Sequence, residues 1–474
     1  MLDVASRSGT GRKRRRHNMV EHNEHRFLLL DHRNIAETRN MKLSVGKVKK
    51  HPSNPLFIED KPWEQRFDNL YGNIVFDEDE QLYKCWYSPF IISNRCLPGM
   101  SLTERQAKKY EGRKDMEMGI CYAVSDDGLN WRKPNLGLVD YDGNRHNNLI
   151  WRGPHGAGII KDQQETDPNR RYKTIFQGIK VSTSADGLNW SDTQKIECNS
   201  AGDTHNNAIW STELGKYVAF TRTWAKTDRE IVDMESKTNH GWCRQVSRME
   251  SPDFVNWSET EVIIDGSSWE LQPYAMPVFK HADIYLGLIA IHDQVSDRVW
   301  TELAWSADTK IWERINEGEP LINCSSTELD YDYGCIYACL SPVFLDDEIR
   351  LYYGGSDWFH FGWRRGCLAL ATLRPDGFAG YEQIDQSISG NLKTTAFSYS
   401  GEQLKVSADI ASKGIIDLKI IDSNNSIVAQ KQLTQSVTDE TVFYNDSIKG
   451  KIKIEFSVKD AKLFSFTLNS ETSS

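Results

Sequence analysis

Short apolar runs with strand character recur along this chain in a fixed order of three. The first kind ends in a polar turn: Gly72-Asn73-Ile74-Val75-Phe76-Asp77, Gly158-Ile159-Ile160-Lys161-Asp162, Asn207-Ala208-Ile209-Trp210-Ser211, Met276-Pro277-Val278-Phe279-Lys280 and Ser341-Pro342-Val343-Phe344-Leu345-Asp346. The second is richer in Tyr: Tyr83–Tyr87, Tyr172–Phe176, Tyr217–Thr221, Tyr285–Ile289 and Leu351–Gly355. The third ends in Ser-x-Asp-x-x-x-Trp, at Ser125–Trp131, Ser184–Trp190, Ser251–Trp257 and Ser306–Trp312, with a degenerate copy at Leu373-Arg374-Pro375-Asp376-Gly377-Phe378. The copies of the third phrase are 59, 67 and 55 residues apart. Self-similarity at such a period marks a repeat architecture. Three strand types repeating together five times predict an all-β fold, a five-bladed β-propeller. A plain sandwich would need the repeats to coincide by chance.

After Gly390 the pattern changes to strict alternation, as in Gly414–Ile421 and Lys451–Phe456, broken by turn clusters such as Asp422-Ser423-Asn424-Asn425-Ser426. That reads as a small C-terminal β-sandwich. The expected organisation is a disordered basic tail over 1–26, an N-terminal segment packing on the propeller over 27–58, the propeller over 59–387 and the sandwich over 388–474.

Composition narrows the functional classes. The 474 residues carry a formal charge of −10, a poor match to nucleic acid or an anionic membrane surface. The one basic run, Arg12–His17, lies in the polar tail, and no apolar stretch is long enough for a signal-peptide core or a membrane span. The expected location is cytoplasmic as the sequence is written, and periplasmic or secreted if translation starts elsewhere. The nine Cys form no Cys-x-x-Cys pair and read as small buried hydrophobes. No cofactor is required by any motif; a structural cation such as calcium in the channel is compatible with the acids there. Oligomeric state has no sequence signature.

A propeller gathers function where the innermost strands begin, around the axis. Blade one offers Asp68, Asn69 and Tyr71; blade two His155, with Asp162 at the far end of its strand; blade three Asp203 and His205; blade four Glu270 and Tyr274; blade five Asp332. Arg222, Trp358 and His360 add hydrogen-bonding and flat apolar groups of the kind that sugars need. Glycosidic hydrolysis uses a carboxylic acid to protonate the leaving oxygen and a carboxylate to attack or to activate water. Asp68, Asp203 and Asp332 are placed to converge on one axial pocket, and the general acid is sought among Asp332, Glu302 and Glu270. Glu302, in a strand expected to be packed, is either catalytic or paired with an arginine such as Arg244 or Arg248.

The phrases Asn54-Pro55-Leu56, Pro62-Trp63-Glu64, Asp68–Asn73, Tyr83–Tyr87, Arg171-Tyr172-Lys173, Tyr352–Gly355 and Leu373–Gly380 resemble the five-bladed propeller glycoside hydrolases of families 32, 43, 62, 68 and 130. The similarity is strongest to bacterial family 32-like proteins and spans residues 27–474. It implies a glycosidase acting on a poly- or oligosaccharide, with Asp68 as base or nucleophile and Asp203 as transition-state stabiliser. The fructosidase signature and an Arg-Asp-Pro phrase are absent, so fructan is not the expected substrate. Two other readings remain open: a glycoside phosphorylase with Arg222, Arg244 and Arg248 as phosphate-site candidates, and a non-catalytic glycan-binding propeller.

Overall fold

The computed structural model describes residues 24–67, 69–108, 112–226, 242–266 and 268–470. Residues 1–23 of the expected tail and Asp68 therefore lie outside the described residues, while residues 24–26 form the start of the strand Glu24–Leu28. The fold is all-β, a propeller joined to a C-terminal sheet domain. Among the described residues no helix is long and apolar enough to cross a membrane.

Each repeat becomes an antiparallel group of strands. The first runs Asn73–Asp77, Leu82–Tyr87, Glu117–Ser125, Trp131–Arg132, and the second Gly158–Lys161, Tyr172–Phe176, Lys180–Ser184, Gln194–Lys195. The third runs Asn207–Ser211, Lys216–Lys226, Trp242–Ser251, Glu261–Ile264. In the fourth, Leu271–Ala275 and Val278–His281 lie inside Ile284–Asp293, Arg298–Ser306 and Trp312–Arg314. In the fifth, Cys335–Ala338 and Val343–Phe344 lie inside Ile349–Ser356 and Gly366–Leu373.

The innermost strands are joined near their starts by side-chain amides. Asn73 donates to the Ala157 carbonyl (2.9 Å) and accepts from the Ile159 N–H (2.9 Å). Asn207 repeats this toward Met276 (2.9 Å) and Val278 (3.1 Å). The fifth group meets the first through Leu340, which donates to the Gly72 carbonyl (2.8 Å).

The Ser-x-Asp phrase is a self-contained turn. The Ser125 hydroxyl accepts from Gly128 N–H (2.9 Å), while one Asp127 carboxylate oxygen accepts from Leu129 and Asn130 N–H (2.8 Å each). Asp186, Asp253 and Asp308 form the same pair of backbone bonds. The fourth position is left-handed in every copy: Gly128 (φ 72°), Gly187 (φ 74°), Phe254 (φ 65°) and Thr309 (φ 68°). Two copies supply the glycine such a turn favours. These Asp residues therefore serve backbone satisfaction.

The N-terminal segment divides between both domains. Lys49–Lys50 and Phe57–Ile58 add to Gly366–Leu373 as the outer edge of the fifth group. Glu24–Leu28, Ile35–Arg39 and Met41–Val45 instead join the C-terminal sheet, so only the later part of 27–58 extends a propeller sheet. In that domain two long strands, Gln403–Asp422 and Gly450–Asn469, pair along most of their length. A register shift between Ile410 and Ile415 and the left-handed Asp460 (φ 50°) interrupt the ladder, and residues from both halves of the pair line one core with Leu404, Ile416, Ile454 and Phe466.

The fifth, degenerate phrase carries the junction. Asp376, buried, binds the Arg26 guanidinium and accepts from the Ser465 hydroxyl (2.6 Å), with His281 Nε2 at 3.2 Å. Burial alone would raise its carboxyl, but His281, Arg26 and Ser465 together hold it well below the usual range. Its stabilising charge is therefore complete above the ordinary aspartate range near pH 4 and is lost as pH falls through the lower folded value. Asp376→Ala leaves Arg26 with its Glu24 and Asp439 contacts only, and is expected to cost about 3 kcal/mol. A thermal melt at pH 7 checks this, and the difference from wild type should shrink in strong acid.

Candidate functional site

Two successive left-handed residues, Leu70 (φ 62°) and Tyr71 (φ 45°), lie between the short strand Arg66–Phe67 and the inner strand Asn73–Asp77. Such strain in non-glycine residues persists only where the surroundings over-determine it. Here it sets the Asn69 and Tyr71 side chains together at the axis. Asn69 Nδ2 donates to the Tyr71 hydroxyl (2.6 Å) and the Tyr274 hydroxyl (3.1 Å), and its Oδ1 accepts from Arg364 (3.1 Å). The Tyr71 ring lies against His155 (5.1 Å between centroids) and His205 (5.4 Å). The Tyr274 hydroxyl also meets His360 Nε2 at 3.0 Å. Arg222 stacks on the Tyr274 ring at 4.1 Å, donates to its carbonyl (2.6 and 3.1 Å) and binds Asp203 at 2.6 Å. Gln177 holds the other Asp203 oxygen at 3.0 Å. The Asp203 side chain is 38% exposed, so this cluster opens to solvent.

Residues from all five strand groups meet here, and Asn69, Tyr71, His155, Asp203, His205, Arg222, Tyr274 and His360 are among them. Burial pushes the His205 imidazole down to about 4, so it is neutral at pH 7. Its Nε2 and the Thr204 hydroxyl have no protein partner.

The remaining sequence candidates lie elsewhere. Asp162 binds Lys173 (2.8 Å) and the Tyr217 hydroxyl (2.5 Å), as Asp77 binds Lys84 and Tyr172 (2.8 Å each) one group earlier. It belongs to a repeated structural triad at the opposite end of the inner strands. There the strand ends line a cavity of about 490 Å³. Asp332, fully buried, binds Lys50 (2.6 Å) and the Tyr353 hydroxyl (2.8 Å). Glu302 is paired with an arginine, though the partner is Arg314 (2.6 Å), supplied by the adjacent strand of its own group, and Trp300 binds its other oxygen (2.8 Å). Arg248 is held by Glu250 and Glu261. Glu270 is exposed just before Leu271–Ala275. Trp358 is buried against Tyr333 and Phe359.

Four further groups at the centre were not singled out from the sequence: His292, Asp297, Arg364 and Glu59. His292 closes the apolar strand Ile284–Asp293, and a histidine ending such a run is the signal that could have found it. Its Nε2 meets Asp297 Oδ1 at 2.9 Å, with His360 Nδ1 3.9 Å from the same oxygen. Two imidazoles and a carboxylate are a transition-ion donor set, and calcium prefers oxygen. Both imidazoles are pushed well below their usual value, first by burial. After burial, the Arg244 and Arg222 guanidiniums act on His292, and His292 and Arg364 act on His360. The same positive field opposes a cation.

The Glu59 side chain is 7% exposed and accepts from the Phe67 N–H (2.9 Å) and the Gly366 N–H (2.8 Å) through one oxygen. It thus pins the segments that carry Asn69 and Arg364.

No protein-family model matches the chain, and no curated protein matches it. Solved structures do overlap with it. A glycosyl hydrolase from Bacteroides ovatus is 12% identical over 72% of this chain and 97% of that one, at a TM-score of 0.45. A family 43 arabinoxylan arabinofuranohydrolase from Bacillus subtilis is 10% identical over 90% and 99%, at 0.40. An N-acetylgalactosamine deacetylase from F. plautii is 12% identical over 71% and 96%, at 0.42. Likeness at this level carries no residue, substrate or reaction across.

Burial raises the Glu59 carboxyl to about 7 against its two backbone hydrogen bonds and Arg365. The folded state therefore favours the proton. Stability is full below the ordinary glutamate range near pH 4.5 and falls as pH rises to about 7. Glu59→Gln keeps an acceptor for both N–H groups, so it should remove this fall. At pH 8 it is expected to gain on the order of 2–3 kcal/mol relative to its difference at pH 4.5, read from melts at both pH values.

Proposed function

We propose that this chain is a glycoside hydrolase acting on a poly- or oligosaccharide at the start of the inner strands. The observation that carries this reading is the convergence there of side chains from every strand group around Tyr274. Neutral imidazoles, amides and phenols offer directional bonds to sugar hydroxyls, and aromatic rings offer faces for the C–H surface.

In this proposal Asp68 is the base or nucleophile, and Asp203, ion-paired with Arg222, stabilises the cationic transition state. The general acid is Glu270. Of the three sequence candidates it alone is exposed and without an ion-pair partner among the described residues. It protonates the leaving oxygen as the bond to the sugar carbon breaks. With Asp68 as base, Asp68 takes a proton from the water that bonds to that carbon, and Asp68 and Glu270 then restore their protonation by exchange with solvent. With Asp68 as nucleophile, the Glu270 carboxylate takes a proton from the water that displaces Asp68 from the carbon, which frees Asp68 and reprotonates Glu270.

The test is a product screen of the purified protein on plant, algal and microbial glycans, with and without phosphate. Reducing sugar is expected without phosphate, and Asp68→Asn or Asp203→Asn should lower kcat by about 10²–10⁴-fold with the melting temperature retained. Glu270→Gln should fail on natural glycosides yet hydrolyse aryl glycosides whose leaving group needs no proton. Glu302→Gln serves as the structural control, with lower stability and unchanged chemistry. Full turnover by Asp68→Asn overturns the assignment, and release only with phosphate makes the protein a phosphorylase.

A further inference from the structure

Arg222 and Trp224 lie on one face of Lys216–Lys226, and Arg244 sits directly across from Trp224 on the paired strand. Both guanidiniums share two rings. Arg222 is 4.1 Å from the Tyr274 centroid and 5.4 Å from that of Trp224; Arg244 is 5.0 and 5.1 Å from them. Two cations thus stand side by side with one carboxylate, Asp203, within reach of the pair.

Their hydrogen bonds are unequal. Arg222 places every guanidinium nitrogen on Asp203 or the Tyr274 carbonyl. Arg244 reaches only the neutral Gln272 amide oxygen (3.0 Å), and its Nε is buried without a partner. Among the described residues no carboxylate lies within ion-pair distance of Arg244. The flanking imidazoles of His292 and His360 carry no negative charge in either protonation state and cannot compensate it. Burial, and after it the Arg222 charge, pull the Arg244 guanidinium below its ordinary range, the direction expected of a cation lacking its counter-ion. A half-buried guanidinium whose Nε is buried without a partner is costly to keep, unlike a fully exposed one. The Trp224 ring beside it is 38% exposed and open for stacking.

We propose that Arg244, with Arg222 behind it and Trp224 as a stacking face, forms an anion subsite. It receives a carboxylate, sulfate or phosphate group carried by the sugar or arriving as free phosphate. The inference rests on the glycan-site reading above and adds that the ligand is acidic. Arg244 is a binding residue in this role, and the planar fork suits two anion oxygens.

The test is calorimetric binding on the full chain at low and physiological salt. Probes are methyl glucuronoside, methyl galacturonoside, glucose 6-sulfate and inorganic phosphate, against methyl glucoside and methyl galactoside. At least one anionic probe should bind ten-fold or more tightly than its neutral counterpart. Arg244→Met should abolish that preference, a loss of about ten-fold or more, while melting no lower than wild type. Arg244→Lys, which keeps the charge without the fork, should fall between. An acidic sugar bound through Arg244 places the anion on the glycan, and phosphate alone bound through Arg244 places it in solution. Equal or absent binding of acidic and neutral probes, or a preference that survives Arg244→Met, overturns the subsite. Binding is read apart from product release. An inert protein that still selects an acidic probe removes the hydrolase reading and leaves the subsite standing.

Discussion

Inner strands that diverge around an axis cannot ladder to one another along their length. Their first N–H and carbonyl groups would be left without partners in the interior, which a fold tolerates poorly. Asn73 and Asn207 answer this with one side chain each, bonding both a carbonyl and an N–H of the next strand's start. Those bonds fix where the second and fourth inner strands begin relative to the first and third, and the residues at those starts meet. The hydrogen-bonded set of Asn69, Tyr71, Tyr274 and His360 follows from that constraint.

Charge is distributed by distance from the axis. In the strands away from the centre, acids and bases are matched: Asp77 with Lys84 and Lys161, Asp162 with Lys173, Glu302 with Arg314, Asp332 with Lys50. At the centre the guanidiniums of Arg222, Arg244 and Arg364 act on the nearby imidazoles, which are held neutral by burial and by that field. A buried matched pair anchors packing, and breaking it is costly. Arg244, half-buried, has no carboxylate partner among the described residues, and so stands apart from Arg248, a residue of the same strand with two carboxylates of its own.

The ring is completed by chain that precedes it. Strands at Lys49–Lys50 and Phe57–Ile58 cover the edge of Gly366–Leu373, an edge that would otherwise expose unpaired backbone. The segment before them binds the C-terminal sheet instead, and Arg26 reaches from it to Asp376 in the propeller's last turn phrase. One buried carboxylate therefore couples the N-terminal segment, the propeller and, through Ser465, the C-terminal domain.

The repeating order of strands was legible in the amino acids because strand, turn and phrase are local: apolar alternation, a Ser-x-Asp turn and a left-handed fourth position act within a few residues. Asn69, Tyr71, His205 and Tyr274 were legible for the same reason, since each stands beside the start of an inner strand. The fate of the acids was not. Asp162, Glu302 and Asp332 look like Asp203 in sequence, and only the partner across the sheet or from a distant segment separates them: Lys173, Arg314, Lys50 or Arg222. His292 and Arg364 reach the centre from a second strand and from the loop after one, and Arg244, a candidate only for phosphate, reaches it from a third strand. Local chemistry determined the repeating units, and long-range electrostatics, decided by which strands lie together, determined which charges were matched among the described residues.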